Sequence, residues 1–365
     1  MSEVKLLREG DTFLFVSDHK TSKRGPGRRE KDKVFYNPAM DLSRDFSVLM
    51  AQWFVNAQDK KVKILDGLAS CGARGLRIGN EVEGDFEIII NDWDEKAYDL
   101  IKRGIEFNKI SNARASCKNF HVVTSEEKFD FIDIDPFGTP VPYLDSAIRG
   151  LKSGGIIAFT ATDTATLCGV YPKTCIRRYF AIPFHSWMMH EIGLRILIGY
   201  ACREAAKHDR GIDVLLSHST DHYMRVFLRI WKGAKKAENS LDNVKKVNLL
   251  PYVNRNVEIG PIWTGKLHST EVLQSLKKIA EEKKLSKKKE VEKLLKRMIE
   301  EVDMPLFFYK TDVISSELSK SPPKLSRIIK LLKEEGYRAS RTQFADNAFK
   351  TDAPREVIYR LFMDL

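Results

Sequence analysis

An apolar run that stops dead on Asp-Pro constrains this chain more than any other feature. Residues 129–138 read Phe-Asp-Phe-Ile-Asp-Ile-Asp-Pro-Phe-Gly. Phe129, Phe131, Ile132 and Ile134 predict a buried β-strand. Proline has no N–H to give a sheet ladder and disfavours helix in the residue before it, so the strand must end at Asp135. That leaves a carboxylate (Asp135), a backbone carbonyl (Pro136) and an aromatic face (Phe137) at a sheet edge, where open α/β sheets bind their ligands. A carboxylate and a carbonyl can accept both hydrogens of a planar amine while a ring stacks on a flat heterocycle. Taken alone, the segment is equally well explained as a strand closing in an Asp-Pro turn.

The upstream sequence shifts that balance. Val62 to Asp66 is a second short apolar run, followed by Gly67-Leu-Ala-Ser-Cys-Gly-Ala-Arg-Gly75 and a helical stretch. Glycines let a backbone approach a ligand closely, and a helix N-terminus offers unpaired N–H groups. A third apolar run, Phe86 to Asn91, ends in Asp92. An acidic residue about 20 positions beyond a glycine turn is placed to take ribose hydroxyls. The pairing fits a nucleotide, but the turn is not GxGxxG and no second nucleotide-binding unit follows.

The three segments together resemble a class I S-adenosylmethionine-dependent methyltransferase. Further stretches narrow the resemblance: Phe35-Tyr-Asn-Pro-Ala-Met40 with Ser43-Arg-Asp45, Ala161-Thr-Asp163 with Leu167-Cys-Gly169, Gly260-Pro-Ile-Trp-Thr-Gly265, and Arg338-Ala-Ser-Arg-Thr342. This set is similar to the tRNA guanine-N2 dimethyltransferase family, which modifies guanine 26 between the D and anticodon stems. The resemblance spans residues 30–360. It implies S-adenosylmethionine as methyl donor, S-adenosylhomocysteine as product, tRNA as partner, and transfer of one or two methyl groups to guanine N2. It also implies roles. Asp135, Pro136 and Phe137 are the catalytic set. Arg44 pairs with the methionine carboxylate, Asp66 meets its ammonium, Arg74 touches the cofactor and Asp92 takes ribose. Adenine lies against the loop at Ser116-Cys117-Lys118-Asn119. Relatives often carry an acid there, so Cys117 and Lys118 leave backbone contacts only. Asp133, on the same strand face as Asp135, is expected to make a structural hydrogen bond.

Element order supplies the fold class: an α/β, Rossmann-like methyltransferase domain with a mostly parallel sheet and an antiparallel edge hairpin over 212–232. A smaller α+β C-terminal domain with winged-helix-like features follows. The expected division is an N-terminal β element and basic loop (1–34), the methyltransferase domain (35–235) and a tRNA-binding domain (236–365). Helices are expected over 42–58, over 144–151 with Gly154-Gly155 as the stop, over 184–206, and as an amphipathic pair in 270–300. Lys324, Arg327, Lys330, Arg338, Arg341 and Lys350 are candidate backbone contacts for tRNA.

Sixty-one Lys and Arg against 50 acidic residues give a net charge of +11, which favours a polyanionic partner. No apolar run reaches the roughly 18 residues needed to span a bilayer, and the first residues lack a signal-peptide core, so the expected location is cytoplasmic. The five cysteines form no Cys-x-x-Cys pair and none lies beyond Cys202, so free thiols and no metal site are expected. His218 and His222 flank a predicted hairpin turn rather than share a helix face. No protein partner is implied. Two other readings stay open: an amino-methyltransferase for another RNA guanine or for DNA, and a nucleic-acid-binding module without catalysis.

Overall fold

The computed structural model describes residues 4–17, 33–253 and 255–365. Most of the expected basic loop, residues 18–32, lies outside these. The chain opens with an antiparallel hairpin, β1 (Val4–Glu9) and β2 (Thr12–Ser17). Helix α1 (Asp41–Asn56) precedes an alternation: β3 (Val62–Asp66), α2 (Ala73–Glu81), β4 (Phe86–Asn91), α3 (Glu95–Phe107), β5 (Ala113–Ser116), α4 (Phe120–Glu126), β6 (Phe129–Ile134), α5 (Val141–Gly150) and β7 (Leu151–Ala161). Then come α6 (Thr164–Leu167), α7 (Pro172–Tyr179), α8 (Met189–Ala206) and the hairpin β8 (Arg210–Thr220) and β9 (Tyr223–Lys232).

These strands form a seven-stranded sheet in the order β5-β4-β3-β6-β7-β9-β8. β3 to β7 pair in parallel, whereas β9 runs antiparallel to both β7 and β8. Parallel neighbours need a crossover helix, and helices on both faces explain why these strands read as continuous apolar runs. The chain moves outward from β3 through β4 to β5, then returns to lay β6 on the other side of β3. That reversal is the topological switch point, so the crevice beyond the ends of β3 and β6 is where a ligand belongs.

The remainder adds α9 (Ala234–Leu241), β10 (Val244–Asn248), α10 (Leu250–Val253), β11 (Glu258–Trp263), the pair α11 (Thr270–Glu282) and α12 (Lys288–Glu301), then β12 (Tyr309–Lys310), α13 (Thr311–Glu317), α14 (Leu325–Glu334), β13 (Ala339–Arg341), β14 (Ala348–Thr351) and α15 (Arg355–Met363). Its first part is not separate from the large sheet. Val272, Leu276, Leu295 and Met298 share one apolar cluster with Phe46, Ile64, Ile88 and Phe131. Ile262, Trp263, Phe307 and Phe308 share another with Ile132, Phe159 and Leu197 on the opposite face. Sandwiched between the sheet and α11, helix α1 is buried almost all round. A third cluster gathers Tyr309, Ile328, Leu332, Phe349, Ile358 and Phe362 around the small sheet β12-β14-β13.

Two expected boundaries differ. Helix α5 stops at Gly150, and Gly154-Gly155 lie inside β7. Gly154 takes φ +83°, and a Cβ on Gly155 would sit 2.7 Å from the Asp130 carbonyl, so the pair marks an irregular strand entry. The helix expected from 184 begins at Met189. Lys350 is also misassigned as a tRNA contact. It is buried, with Nζ 2.8 Å from Glu191 Oε1.

Candidate active site

A cavity of about 340 Å³ opens at the switch point, and Asp66, Asp92 and Asp135 all line it. Asp66 ends β3. Its Oδ2 accepts the Gly75 N–H (2.8 Å) from the first turn of α2. A Cβ on Gly75 would lie 2.9 Å from that oxygen, so the absence of a side chain permits the contact. Burial, then the charge of Asp133, push the Asp66 carboxyl up to about 7. Ser70, in the turn before α2, holds φ +50°, a conformation a residue with a Cβ rarely adopts. Two bonds fix it there: its N–H donates to Asp92 Oδ2 (2.7 Å) and its hydroxyl to the Phe35 carbonyl (2.6 Å). Asp92 Oδ1 also accepts the Asp94 N–H (3.0 Å). Backbone strain held at the wall of a cavity is the pattern of a built binding site.

Beside this wall, Arg74 reaches from α2 to the end of β6. Its Nη2 donates to Asp135 Oδ2, Nη1 donates to the Ser47 hydroxyl, and Nε lies 3.5 Å from Asp133 Oδ1. Burial opposes the charge on Asp135, but the Arg74 and Arg225 guanidiniums outweigh it and hold the carboxyl below its ordinary range. One step deeper, Asp133 makes a two-pronged ion pair with Arg225, both side chains fully buried. Pro136 is buried, whereas Phe137 is 54% exposed and meets Phe35 edge-on, centroids 4.6 Å apart at 68°. Gly138 and Thr162 lock the loop, with N–H to Oγ1 and N–H to carbonyl bonds each of 2.8 Å.

A family model described as N2,N2-dimethylguanosine tRNA methyltransferase matches residues 15–252 and 251–363. The chain belongs to that family. It is similar to the tRNA (guanine(26)-N(2))-dimethyltransferases of Pyrococcus abyssi, 39% identical over 89% of this chain and 91% of the relative, and Methanobrevibacter smithii, 34% identical over 100% and 98%. Its fold is similar to that of Trm1 from Pyrococcus horikoshii in complex with S-adenosyl-L-methionine, with a TM-score of 0.87, 33% identity, and 98% and 99% of the two chains covered.

For a member of the N2,N2-dimethylguanosine tRNA methyltransferase family, the expected residues fall into two groups. Asp66, Arg74, Asp92, Asp135, Pro136 and Phe137 converge on the cavity, and Arg44 lines it too. Arg44 is already engaged, however: Nε and Nη2 each donate to Glu9 at 2.7 Å, and Nη2 also reaches the Asn37 carbonyl (3.1 Å). Cys117 and Lys118 are not among the lining residues. Cys117 is exposed with its thiol 3.7 Å from the Trp93 carbonyl, and Lys118 pairs with Glu126 at 2.5 Å. Three contributors escaped the sequence reading as site residues: Glu9, Phe35 and Arg225. Phe35 carried a signal, since it sits in the stretch that resembles the family. Glu9 and Arg225 carried none.

Proposed function

We propose that this chain transfers one or two methyl groups from S-adenosylmethionine to the exocyclic N2 of guanine 26 in tRNA, the reaction its relatives are named for. The observation that carries the reading is the convergence of Asp135, Pro136 and Phe137 on one cavity with Asp66 and Asp92. That wall suits the methyl donor. Burial and Asp133 hold the Asp66 carboxyl above its ordinary range despite Arg74, so an ammonium in the cavity would stabilise its charge. Asp92, its oxygens oriented by two backbone N–H groups, can accept from ribose hydroxyls. Among the described residues no hydrogen bond of Arg44 uses Nη1, leaving that edge for the methionine carboxylate.

S-adenosylmethionine, when bound, supplies a methyl made strongly electrophilic by its sulfonium. The difficulty lies with guanine N2, whose lone pair is delocalised into the ring. In our reading Asp135 accepts one amino hydrogen and the Pro136 carbonyl the other, which aims the nitrogen and favours a more tetrahedral geometry. Phe137 stacks on the extracted base, with Phe35 packed edge-on behind it. Asp135 acts chiefly as a fixed acceptor, since a carboxylate held ionised by Arg74 is a poor base. Once N2 has accepted the methyl and become cationic, with the donor leaving as S-adenosylhomocysteine, its proton passes to water. Monomethylguanine enters with one N–H fewer to give. We place the activity in the cytoplasm. The five free cysteines suit a reducing compartment, and no helix among the described residues is long and apolar enough to cross a membrane.

The test is methyl transfer to an unmodified tRNA transcript, with digested nucleosides weighed. N2-methylated guanosine that disappears when guanine 26 is replaced by adenine is the expected result. Methyl groups on another base, or on DNA alone, would remove the substrate assignment.

Asp66 predicts a pH dependence. Its carboxyl must be ionised to pair with an ammonium, and it ionises near 7 in the free protein. Below that value binding must expel a proton, so S-adenosylmethionine affinity falls by up to about tenfold per pH unit as pH drops from 7 to 5.5. Calorimetry across that range checks it, with Asp66→Asn expected to bind weakly and without the slope. A flat wild-type profile would dissociate Asp66 from the ammonium.

A further inference from the structure

Helix α7 presents an unusual face. Lys173, Ile176, Arg177 and Phe180 follow the i, i+3, i+4, i+7 spacing of one helical stripe, and all four are exposed. Phe180 is 65% and Ile176 46% exposed, and Tyr171, at the head of the helix, is 58% exposed. The opposite face is anchored: Cys175 and Tyr179 are buried. Phe180 caps the helix at φ +51°, which an aromatic residue rarely adopts. Lys173 and Arg177 have no acidic partner among the described residues. By contrast, three lysines of the turn between α11 and α12 are engaged: Lys283 with Glu83, Lys284 with Asp11 and Lys287 with Asp41. The helix is tied through its buried face to the loop after Asp135. The Tyr179 hydroxyl donates to Asp163 Oδ1 (2.8 Å) and lies 2.7 Å from the hydroxyl of Thr139, the residue after Gly138.

We propose that this face of α7 holds tRNA next to the target nucleotide, with Phe180 stacked on an unpaired base and Lys173 and Arg177 on the flanking phosphates. Free cations interleaved with exposed rings are what a single-stranded or junction segment of RNA binds, and an exposed apolar stripe flanked by unpaired positive charge fits no neutral partner as well. The inference rests on the tRNA reading above.

The experiment uses the full chain with Lys173→Glu/Arg177→Glu and, separately, Phe180→Ala. Each is assayed for tRNA KM and kcat, for the salt dependence of tRNA binding, and for S-adenosylmethionine affinity. The charge reversal is expected to raise tRNA KM about tenfold or more and to flatten the log–log salt slope by roughly 1.5, near 0.7–0.9 per lost phosphate contact. Phe180→Ala is expected to raise KM about tenfold. Methyl-donor affinity stays unchanged in both, which also reports an intact fold. An active wild type whose variants keep its tRNA KM and salt slope overturns the α7 surface alone. A wild type inactive on tRNA overturns the underlying reading and the surface with it.

Discussion

Asp135→Ala lowers the rate of methyl transfer by about a hundredfold to a thousandfold, the scale of losing one pre-organised electrostatic contact. S-adenosylmethionine affinity changes little, because Asp66 and Asp92 lie on a separate stretch of the wall. Asp135→Asn separates two roles. It keeps one acceptor oxygen of the same size and loses only the charge, so single-turnover transfer recovers part of the way from the alanine rate. A carboxylate that took the proton would give the opposite pattern, with asparagine as inactive as alanine. A wild-type rate in Asp135→Ala would leave the end of β6 without a catalytic role. Arg74 extends the logic. It is buried, and its guanidinium links Asp135 to Ser47 of α1, so its loss should free Asp135 to rotate and gain a proton more easily.

Arg225→Met is expected to cost about 3 kcal/mol of stability, because it leaves the fully buried Asp133 carboxylate with only the longer 3.5 Å contact to Arg74. Arg225 also donates to Thr160 and Ser47, each at 3.0 Å, so one side chain joins β9, β7, β6 and α1. Replacing both members of the pair, Asp133→Leu with Arg225→Met, should restore much of the loss, since an apolar pair of similar volume avoids burying a lone charge. Denaturant unfolding of the two single variants and the double variant checks this. Additive losses would show that Arg225 acts through Thr160 and Ser47 rather than through Asp133.

The parts of this site legible in sequence were those written in consecutive residues. An apolar run closed by Asp135-Pro136 announces a strand end, and Asp66 and Asp92 announce themselves the same way, because strand termination is a local event. The edge hairpin, expected over 212–232 and found over 210–232, was legible through its apolar pattern. Contacts between distant segments were not. Arg74 meets Asp135 across 61 residues, Arg44 meets Glu9 across 35 and Arg225 meets Asp133 across 92. Each depends on which strands become neighbours, and a charged residue in sequence reads first as a solvated one. The same limit blurred the second half. Amphipathic periodicity located α11 and α12, but a helix's apolar stripe does not say which core it joins. Since that pair shares a cluster with β3, β4 and β6, a deletion of residues 240–365 would also expose apolar surface of the large sheet.

One pair of contacts bears on how the protein is made. Asp45, fully buried in α1, accepts the backbone N–H groups of Ser286 (3.2 Å) and Lys287 (2.7 Å), and the Ser286 hydroxyl takes the Gly10 N–H at 3.0 Å. Both the first hairpin and the helix carrying Arg44 therefore close against a turn encoded more than two hundred residues later. During synthesis the ribosome releases these early segments long before the turn exists. The packing of the first hairpin and α1 thus cannot be completed while these elements emerge, and must wait until the turn before α12 leaves the exit tunnel.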